Sequence, residues 1–157
     1  MSAPVVSVVG SAVCTSAQAG IAEEVGRLLG ERGAILVCGG RGGVMEAACR
    51  GAQEAGGITV GILPGIDRQE ANPYLTVALP TGLGNARNTL VVITGEAVIA
   101  IGGGYGTLSE IGIALKQGRR VIGLDTWEAI RSDGQKAAIE VAQSPEQAVA
   151  LALSDHL

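Results

Sequence analysis

The feature that most constrains the fold of this chain is a regular alternation of short β-branched segments with longer segments of helical apolar spacing. Strands are predicted at Val5 to Val9, Ala34 to Cys38, Ile58 to Leu63, Leu75 to Leu79, Ala97 to Ile101 and Arg120 to Leu124, with a weaker strand at Ile139 to Ala142. Helices are predicted at Ala17 to Gly30, Val44 to Ala55, about Asn85 to Thr94 and Thr107 to Gln117, with a last helix capped by Ser144. Such alternation is typical of a mainly parallel sheet with helices on both faces. We therefore expect an α/β fold, a single Rossmann-like three-layer αβα domain.

Length and composition agree with one packed domain over residues 1–157. A chain of 157 residues, 47% of them hydrophobic, is long and apolar enough to bury a core. The net charge of −4 and the scarcity of aromatic residues leave neither a basic stripe nor base-stacking platforms, so nucleic acid is not an expected partner. No uninterrupted apolar stretch reaches the ~18 residues of a membrane span. We therefore expect no membrane partner and a cytoplasmic location.

Cysteine and histidine usage limits the chemistry that the chain can perform. Cys14, Cys38 and Cys49 are odd in number and lack CxxC spacing, which argues against a disulfide framework and against a zinc site. Buried thiols are expected instead. The single histidine, His156, lies beside the C-terminus, so a Ser-His-Asp or Cys-His arrangement is not expected. No metal site is predicted.

Three glycine-rich turns follow predicted strands, at the carboxyl edge where open parallel sheets bind their ligands. Glycine lets the backbone approach an anion closely, so several amide N–H groups can bind one phosphate. None of the turns matches the Walker A or GxGxxG patterns, and tight turns without a ligand are the alternative. The residues concerned are Gly10 and Ser11, then Gly39, Gly40, Arg41, Gly42 and Gly43, and finally Gly102, Gly103, Gly104 and Gly106.

Polar side chains accompany these turns. Thr107 is expected at the start of the fourth helix, where its hydroxyl could cap the helix or donate to a phosphate. Glu110 would face the same edge, although a glutamate in a first turn more often only complements the helix dipole. Arg87 opens the third helix and could clamp a phosphate, or it could be a solvated surface arginine. Arg41 has the same two interpretations.

Three blocks of the sequence together resemble the LOG superfamily, long mislabelled "lysine decarboxylase". They are Gly39 to Glu46, Gly84 to Asn88 and Gly102 to Glu110, and the last looks like the motif PGGxGTxxE. The match in order and spacing runs from about Val5 to Leu124. The resemblance implies a phosphoribohydrolase, which cleaves the N-glycosidic bond of nucleoside 5′-monophosphates to free base and ribose 5-phosphate.

By the same resemblance, Glu110 and Arg87 would be the catalytic residues, with Gly103, Gly104, Gly106 and Thr107 as the phosphate cradle. The sequence departs from the family pattern in two places. Gly102 replaces a proline, and the Arg-Lys pair with its following methionine is reduced to Arg87-Asn88 with Val91. These differences make the chain more similar to a smaller SLOG branch that includes the molybdenum cofactor carrier protein. Members of that branch are proposed to be sensors or carriers, for which turnover is not needed.

Two functional hypotheses therefore stand side by side, a nucleotide hydrolase and a non-catalytic carrier or sensor. Both bind a small phosphorylated ligand, a nucleotide or the molybdenum cofactor, and neither requires a further cofactor. By analogy with the superfamily a homo-oligomer is expected, with Leu90 to Ile93 as interface or as core. A true lysine decarboxylase is not expected, because Lys116 and Lys136, the only lysines, lie outside the glycine turns.

Overall fold

The computed structural model describes residues 2–156, and its centre is a seven-stranded sheet whose neighbouring strands are all parallel. The strands lie in the order β4-β3-β2-β1-β5-β6-β7. Their bounds are β1 Val5–Gly10, β2 Ile35–Cys38, β3 Ile58–Leu63, β4 Val77–Pro80, β5 Ala97–Ile101, β6 Arg120–Leu124 and β7 Ile139–Val141. The chain builds one half outward from β1 and the other outward from β5. The junction of β1 and β5 is thus the switch point at which such sheets bind ligands.

Within residues 2–156, helices cover both faces of the sheet. They are α1 Ser16–Glu31, α2 Val44–Glu54, α3 Arg87–Thr94, α4 Tyr105–Lys116 and α5 Pro145–Ala152, with short 3-10 turns at Arg68–Glu70, Gly84–Ala86 and Ser154–His156. Buried residues of α1, α2 and α5 share one core with Val6 and Val8 of β1. Buried residues of α3 and α4 share a second core with Val9. This three-layer arrangement confirms the fold class expected from the sequence.

Small residues let α1 and α2 pack in direct backbone contact. A Cβ added at Gly26 would overlap the carbonyl group of Ala48, and one added at Gly51 would overlap the carbonyl oxygen of Glu23. Glycine inside a helix costs about 1 kcal/mol relative to alanine, and the close approach of the two helices offsets that cost. The contact fixes the two helices that follow β1 and β2, and with them the turns that precede those helices.

The starts of three elements differ by two residues from the sequence-based expectation. β4 begins at Val77 rather than Leu75, because the Leu75 side chain packs over Gly61 and Gly40 before pairing with β3 starts. α3 begins at Arg87, since the preceding Gly84–Ala86 forms a 3-10 turn. α4 begins at Tyr105 with Gly104 as its N-cap, so the expectation that Thr107 starts this helix was wrong. Of the two roles left open for its hydroxyl, this excludes the N-cap.

The burial of the cysteines and of two valines in α3 can be compared with expectation. Cys38 and Cys49 are buried, as predicted, whereas Cys14 is partly exposed. Val91 and Val92 are completely buried, which favours the core interpretation for these two residues of α3. In the part of the chain described, none of the helices combines the length and apolar character needed to cross a bilayer.

Candidate functional site

A cavity of about 350 Å³ opens at the carboxyl edge of the sheet, where β1 and β5 diverge. Its walls come from the end of β1, from the turns that follow β1 and β2, and from the N-terminal parts of α2, α3 and α4. The structure brings together in this cavity the predicted site residues Gly10, Ser11, Gly39, Arg87, Gly104, Gly106, Thr107 and Glu110. Of the other lining residues, Asn88 was noted only as a departure from the motif. Five were not predicted, namely Val8, Val9, Ala12, Met45 and Tyr105.

The N-terminus of α4 faces the cavity without a capping side chain from residues 2–156. The first backbone bond into the helix runs from the Leu108 N–H to the Gly104 carbonyl, at 3.1 Å. The N–H groups of the first helical turn therefore lack helical acceptors. α1 and α5, by contrast, are capped by Thr15 and Ser144. An open helix N-terminus combines free donors with the positive end of the helix dipole, which suits an anion.

The glycines before and within α4 have different roles. A Cβ at Gly104 or Gly106 would meet no atom within 4 Å, so both positions leave open space at the helix start. Gly103 has φ +98°, and a Cβ there would overlap the Thr107 hydroxyl. Gly102 has φ +54°, which proline cannot adopt because its ring fixes φ near about −65°. The backbone conformation at this turn thus explains why the motif's proline is absent here.

Arg87, the first residue of α3, reaches across the cavity toward the end of β2. Its Nη1 donates a hydrogen bond to Oδ1 of Asn88. A Cβ at Gly39 would lie 3.0 Å from its Nη2, so glycine at that position leaves room for the guanidinium. Burial lowers the pKa of Arg87, which nevertheless remains charged at neutral pH. Its Nε is buried and has no acceptor among the described residues, so a bound anion could satisfy it.

Glu110 lies one turn into α4, and only 8% of its surface is exposed. Burial raises the pKa of its carboxyl group to about 7, although the positive charge of Arg87 acts in the opposite direction. Near neutral pH the carboxyl group is therefore present in both its protonated and its ionised form. It can donate a hydrogen bond to a ligand in one form and accept a proton in the other.

The second glycine turn contributes only Gly39 to the cavity wall. The Val44 N–H donates to the Ser11 carbonyl at 3.0 Å, and a Cβ at Gly43 would overlap that carbonyl. The start of α2 is therefore closed by the loop after β1, unlike the start of α4.

The remaining predicted residues of this turn lie outside the cavity lining. Gly40 packs against Leu63, and its carbonyl accepts from the Asn72 N–H at 2.9 Å. Gly42 lies between Gly40 and the start of α2 and does not line the cavity. Arg41 is half-exposed at the rim, with its Nη1 3.9 Å from Oε2 of Glu70, and its charge contributes to lowering the pKa of Arg87.

Gly102 and Gly103 line a neighbouring cavity of about 360 Å³ instead of the main one. Their turn is fixed from behind by the loop after β6. The Thr126 hydroxyl donates to the Gly102 carbonyl at 2.6 Å, and the Trp127 indole N–H donates to the Gly104 carbonyl at 3.0 Å. These two bonds orient the turn that precedes α4, and no sequence motif indicated either of them.

The sequence model of the SLOG cluster4 family matches residues 3–149. The chain belongs to the SLOG cluster4 family. This confirms the LOG-superfamily resemblance inferred from the glycine motifs. The match spans all seven strands and the glycine turns that surround the cavity.

Proteins similar to this SLOG cluster4 chain include a sequence relative and solved structures. An uncharacterized protein of Archaeoglobus fulgidus is 40% identical over 149 residues, covering 95% of this chain and 94% of that protein. The molybdenum cofactor binding protein of Rippkaea orientalis superposes with a TM-score of 0.89 at 36% identity, covering 100% of this chain and 99% of that one. The molybdenum cofactor carrier protein of Chlamydomonas reinhardtii superposes with a TM-score of 0.82 at 31% identity, covering 98% of each chain. These neighbours confirm the predicted similarity to the carrier branch and support a role in ligand binding.

Proposed function

We propose that this chain binds and carries a phosphorylated small molecule in the cavity at the carboxyl end of β1, beside the N-terminus of α4. The observation that carries the proposal is the pairing of an uncapped α4 N-terminus with a partly buried Arg87, whose buried Nε lacks an acceptor among residues 2–156. A phosphate placed between them would accept from backbone N–H groups on one side and from the guanidinium on the other. The glycines at positions 104 and 106 leave the space that the phosphate needs.

The ligand class that we propose is a heterocycle with a terminal phosphate, either a nucleotide or the pterin-based molybdenum cofactor. The names of the Rippkaea orientalis and Chlamydomonas reinhardtii neighbours favour the molybdenum cofactor. In this structure the chemistry of the donors fits the phosphate end of such a molecule. Arg87 and the first turn of α4 would hold the phosphate, and Tyr105, which is 82% exposed at the cavity, would lie beside the heterocycle.

Calorimetric titration with AMP and with isolated molybdenum cofactor tests this proposal. We expect saturable binding of one phosphorylated ligand per chain, and we expect the dephosphorylated counterpart to bind far more weakly. Absence of binding for every phosphorylated ligand, or equal affinity for the dephosphorylated compounds, would refute it. A control with inorganic phosphate separates the contribution of the phosphate from that of the heterocycle.

A second candidate function is hydrolysis of the N-glycosidic bond, favoured by the position of Glu110 beside Arg87 and by its pKa of about 7. A carboxylate near the anomeric carbon could stabilise oxocarbenium-like charge or activate water, while the cradle fixes the 5′-phosphate. Chromatography of nucleoside 5′-monophosphates incubated with the protein tests this candidate. It requires release of free base that Glu110→Gln abolishes, and intact nucleotide after prolonged incubation would rule it out.

The expected homo-oligomer, the cytoplasmic location and the lack of a nucleic-acid partner stay predictions. Each is independent of the ligand proposal. Sedimentation velocity, cell fractionation and a nucleic-acid mobility-shift assay are the measurements that test them.

A further inference from the structure

Two cysteine thiols lie in contact directly beneath the candidate site. Cys38 ends β2 and Cys49 lies in the middle of α2, and neither exposes any surface. Their Sγ atoms are 3.6 Å apart. The Gly40 N–H also donates to the Cys38 Sγ, at 3.2 Å. Cys38 is joined through the backbone to Gly39, which lines the cavity, so the thiol pair borders the site without belonging to its lining.

The two thiols are chemically unequal. The hydrogen bond from the Cys49 thiol, followed by the Gly40 amide and the charge of Arg87, lowers the pKa of Cys38 despite its burial. Donation of that hydrogen bond, together with burial, raises the pKa of Cys49. The Cys38 sulfur has the Gly40 N–H as well as the Cys49 thiol as hydrogen-bond donors, so it is the more readily ionised sulfur of the pair and Cys49 acts as the resolving thiol.

We propose that Cys38 and Cys49 form a reversible disulfide, and that its formation weakens ligand binding in the cavity above. The first half stands alone, while the second half rests on the proposed function. A disulfide brings the sulfur atoms to about 2.05 Å, so the thiols must approach by roughly 1.5 Å. A disulfide sulfur is also a weaker acceptor than a thiolate, so the hydrogen bond from the Gly40 N–H to the Cys38 sulfur weakens. The turn that carries Gly39, against which the Arg87 guanidinium rests, then loses an anchor.

A peroxide is a suitable oxidant because a molecule of that size fits the cavity beside Gly39. The Cys38 thiol is buried behind Gly39, so the reaction requires a local opening of this turn. The Cys38 thiolate attacks one peroxide oxygen, the O–O bond breaks, and the products are a sulfenic acid and, after proton uptake, water. The Cys49 sulfur then attacks the Cys38 sulfur, the S–O bond breaks, and the hydroxyl leaves as water with the Cys49 proton. The two thiols lose two electrons in total and hydrogen peroxide becomes two waters. A small thiol reverses the step by exchange.

Peptide mapping of the full chain tests the disulfide. After treatment with hydrogen peroxide, the remaining thiols are alkylated and the protein is digested with trypsin, which cleaves after Arg32, Arg41 and Arg50. Cys38 and Cys49 then fall in peptides 33–41 and 42–50. We expect these peptides to be linked and to separate on reduction. The link should persist in Cys14→Ala and be absent from Cys49→Ala. Oxidation of Cys38 or Cys49 without a link between them, or links made mainly by Cys14, would overturn the proposal.

Calorimetry with inorganic phosphate tests the coupling to the site. The oxidised wild-type protein should bind phosphate on the order of fivefold more weakly than the reduced protein, or weaker still. Peroxide-treated Cys49→Ala should bind as its reduced form does. Equal affinity of the two wild-type forms would refute the coupling and leave the disulfide standing. If the reduced protein bound no phosphate, the proposed function would fail together with the coupling, whereas the peptide link would be unaffected.

Discussion

Arg87 and Glu110 place a permanent positive charge and a titratable carboxyl group in one cavity. Each is costly to bury alone, and each lessens the cost for the other, since the charge of Arg87 opposes the rise in the pKa of Glu110. Burial is the larger effect, because the pKa of Glu110 is still about 7. Ionisable groups whose cost of burial is only partly offset by neighbouring protein groups are typical of ligand-binding sites.

Glu110 should make the stability of the protein depend on pH. Its pKa is raised from 4.5 to about 7 by folding, so the folded state binds the proton more tightly than the unfolded chain. The contribution of Glu110 to the free energy of unfolding is therefore fully present below pH ~4.5. It is lost as pH rises toward ~7, a decrease of roughly 3 kcal/mol. Glu110→Gln should unfold at a higher temperature than wild type at pH 8 and at a similar temperature at pH 5. Thermal melts followed by circular dichroism check this. If the difference in melting temperature between Glu110→Gln and wild type were the same at pH 5 and pH 8, the prediction would be contradicted.

The same carboxyl group should make ligand binding weaken with pH. Above pH 7 Glu110 becomes an anion beside a bound phosphate, which is already largely a dianion there. We expect the affinity of the wild type for AMP to fall between pH 7 and 9, and that of Glu110→Gln to change little. Calorimetry across this range is the measurement. Parallel pH profiles for the two proteins would show that Glu110 does not face the phosphate.

Arg87→Ala should lose most of the binding to phosphorylated ligands. Hydrogen bonds to charged groups contribute about 1.5–3 kcal/mol, so we expect an affinity loss of roughly 10- to 100-fold. Arg32→Ala is the matched control, because Arg32 is an exposed arginine that follows α1 at the opposite edge of the sheet. Equal losses in both variants would point to a general effect of charge rather than to the site.

At the scale of elements, glycine in the first turn of α4 lowers the stability of the helix but leaves open space for a ligand. Gly106 lies in that turn, where a Cβ would meet no protein atom. Gly106→Ala should therefore stabilise the protein by roughly 0.5–1 kcal/mol and at the same time weaken phosphate binding. Gly112→Ala is the control, since Gly112 is an exposed glycine of the same helix with equally open surroundings and lies outside the cavity.

Melting curves and calorimetry together check the comparison of the two glycine variants. Both variants should melt at or above the wild-type temperature, and only Gly106→Ala should lose affinity. Wild-type affinity in Gly106→Ala would contradict the assignment of this turn to phosphate binding.

The sequence predicted the glycine turn before α4, but not the exact start of this helix or the side chains that reach the cavity through tertiary packing. The motif containing Gly104, Gly106 and Thr107 located the turn, yet the helix begins two residues earlier than predicted, because the Gly104 carbonyl accepts its first backbone hydrogen bond from the Leu108 N–H. The contribution of Met45 could not be predicted, since it reaches the cavity from α2 by tertiary packing alone. Asn88 was noticed only as a missing lysine, and its hydrogen bond to Arg87 needs the side-chain positions.

At the scale of the whole molecule, the alternation of strands and helices was sufficient to predict a parallel three-layer fold. Alternation does not specify strand order, which depends on how each crossover packs. The position of the site follows from that order, because β1 and β5 become neighbours only when the chain returns to the centre of the sheet. The glycine turns after these two strands therefore meet, whereas most of the turn after β2 serves packing.

The predicted homo-oligomer can be tested on an exposed apolar part of the sheet. Val77 and Leu79 of edge strand β4 are 44% and 46% exposed, and they pair in register with Val60 and Ile62 on the side that α3 covers. Exposed apolar patches on a sheet favour association. We expect an oligomer in sedimentation velocity and a shift toward monomer in Leu79→Glu. A monomeric wild-type protein would contradict the prediction.

Native mass spectrometry tests the central claim most directly. The wild-type, Arg87→Ala and Arg32→Ala proteins are incubated with AMP and with molybdenum cofactor, and the mass of each complex is measured. We predict one intact phosphorylated ligand per chain for the wild type and for Arg32→Ala, and its loss from Arg87→Ala. A wild-type protein that retains no phosphorylated ligand, or an Arg87→Ala variant that retains as much as the wild type, would contradict the claim that this cavity binds a phosphorylated molecule.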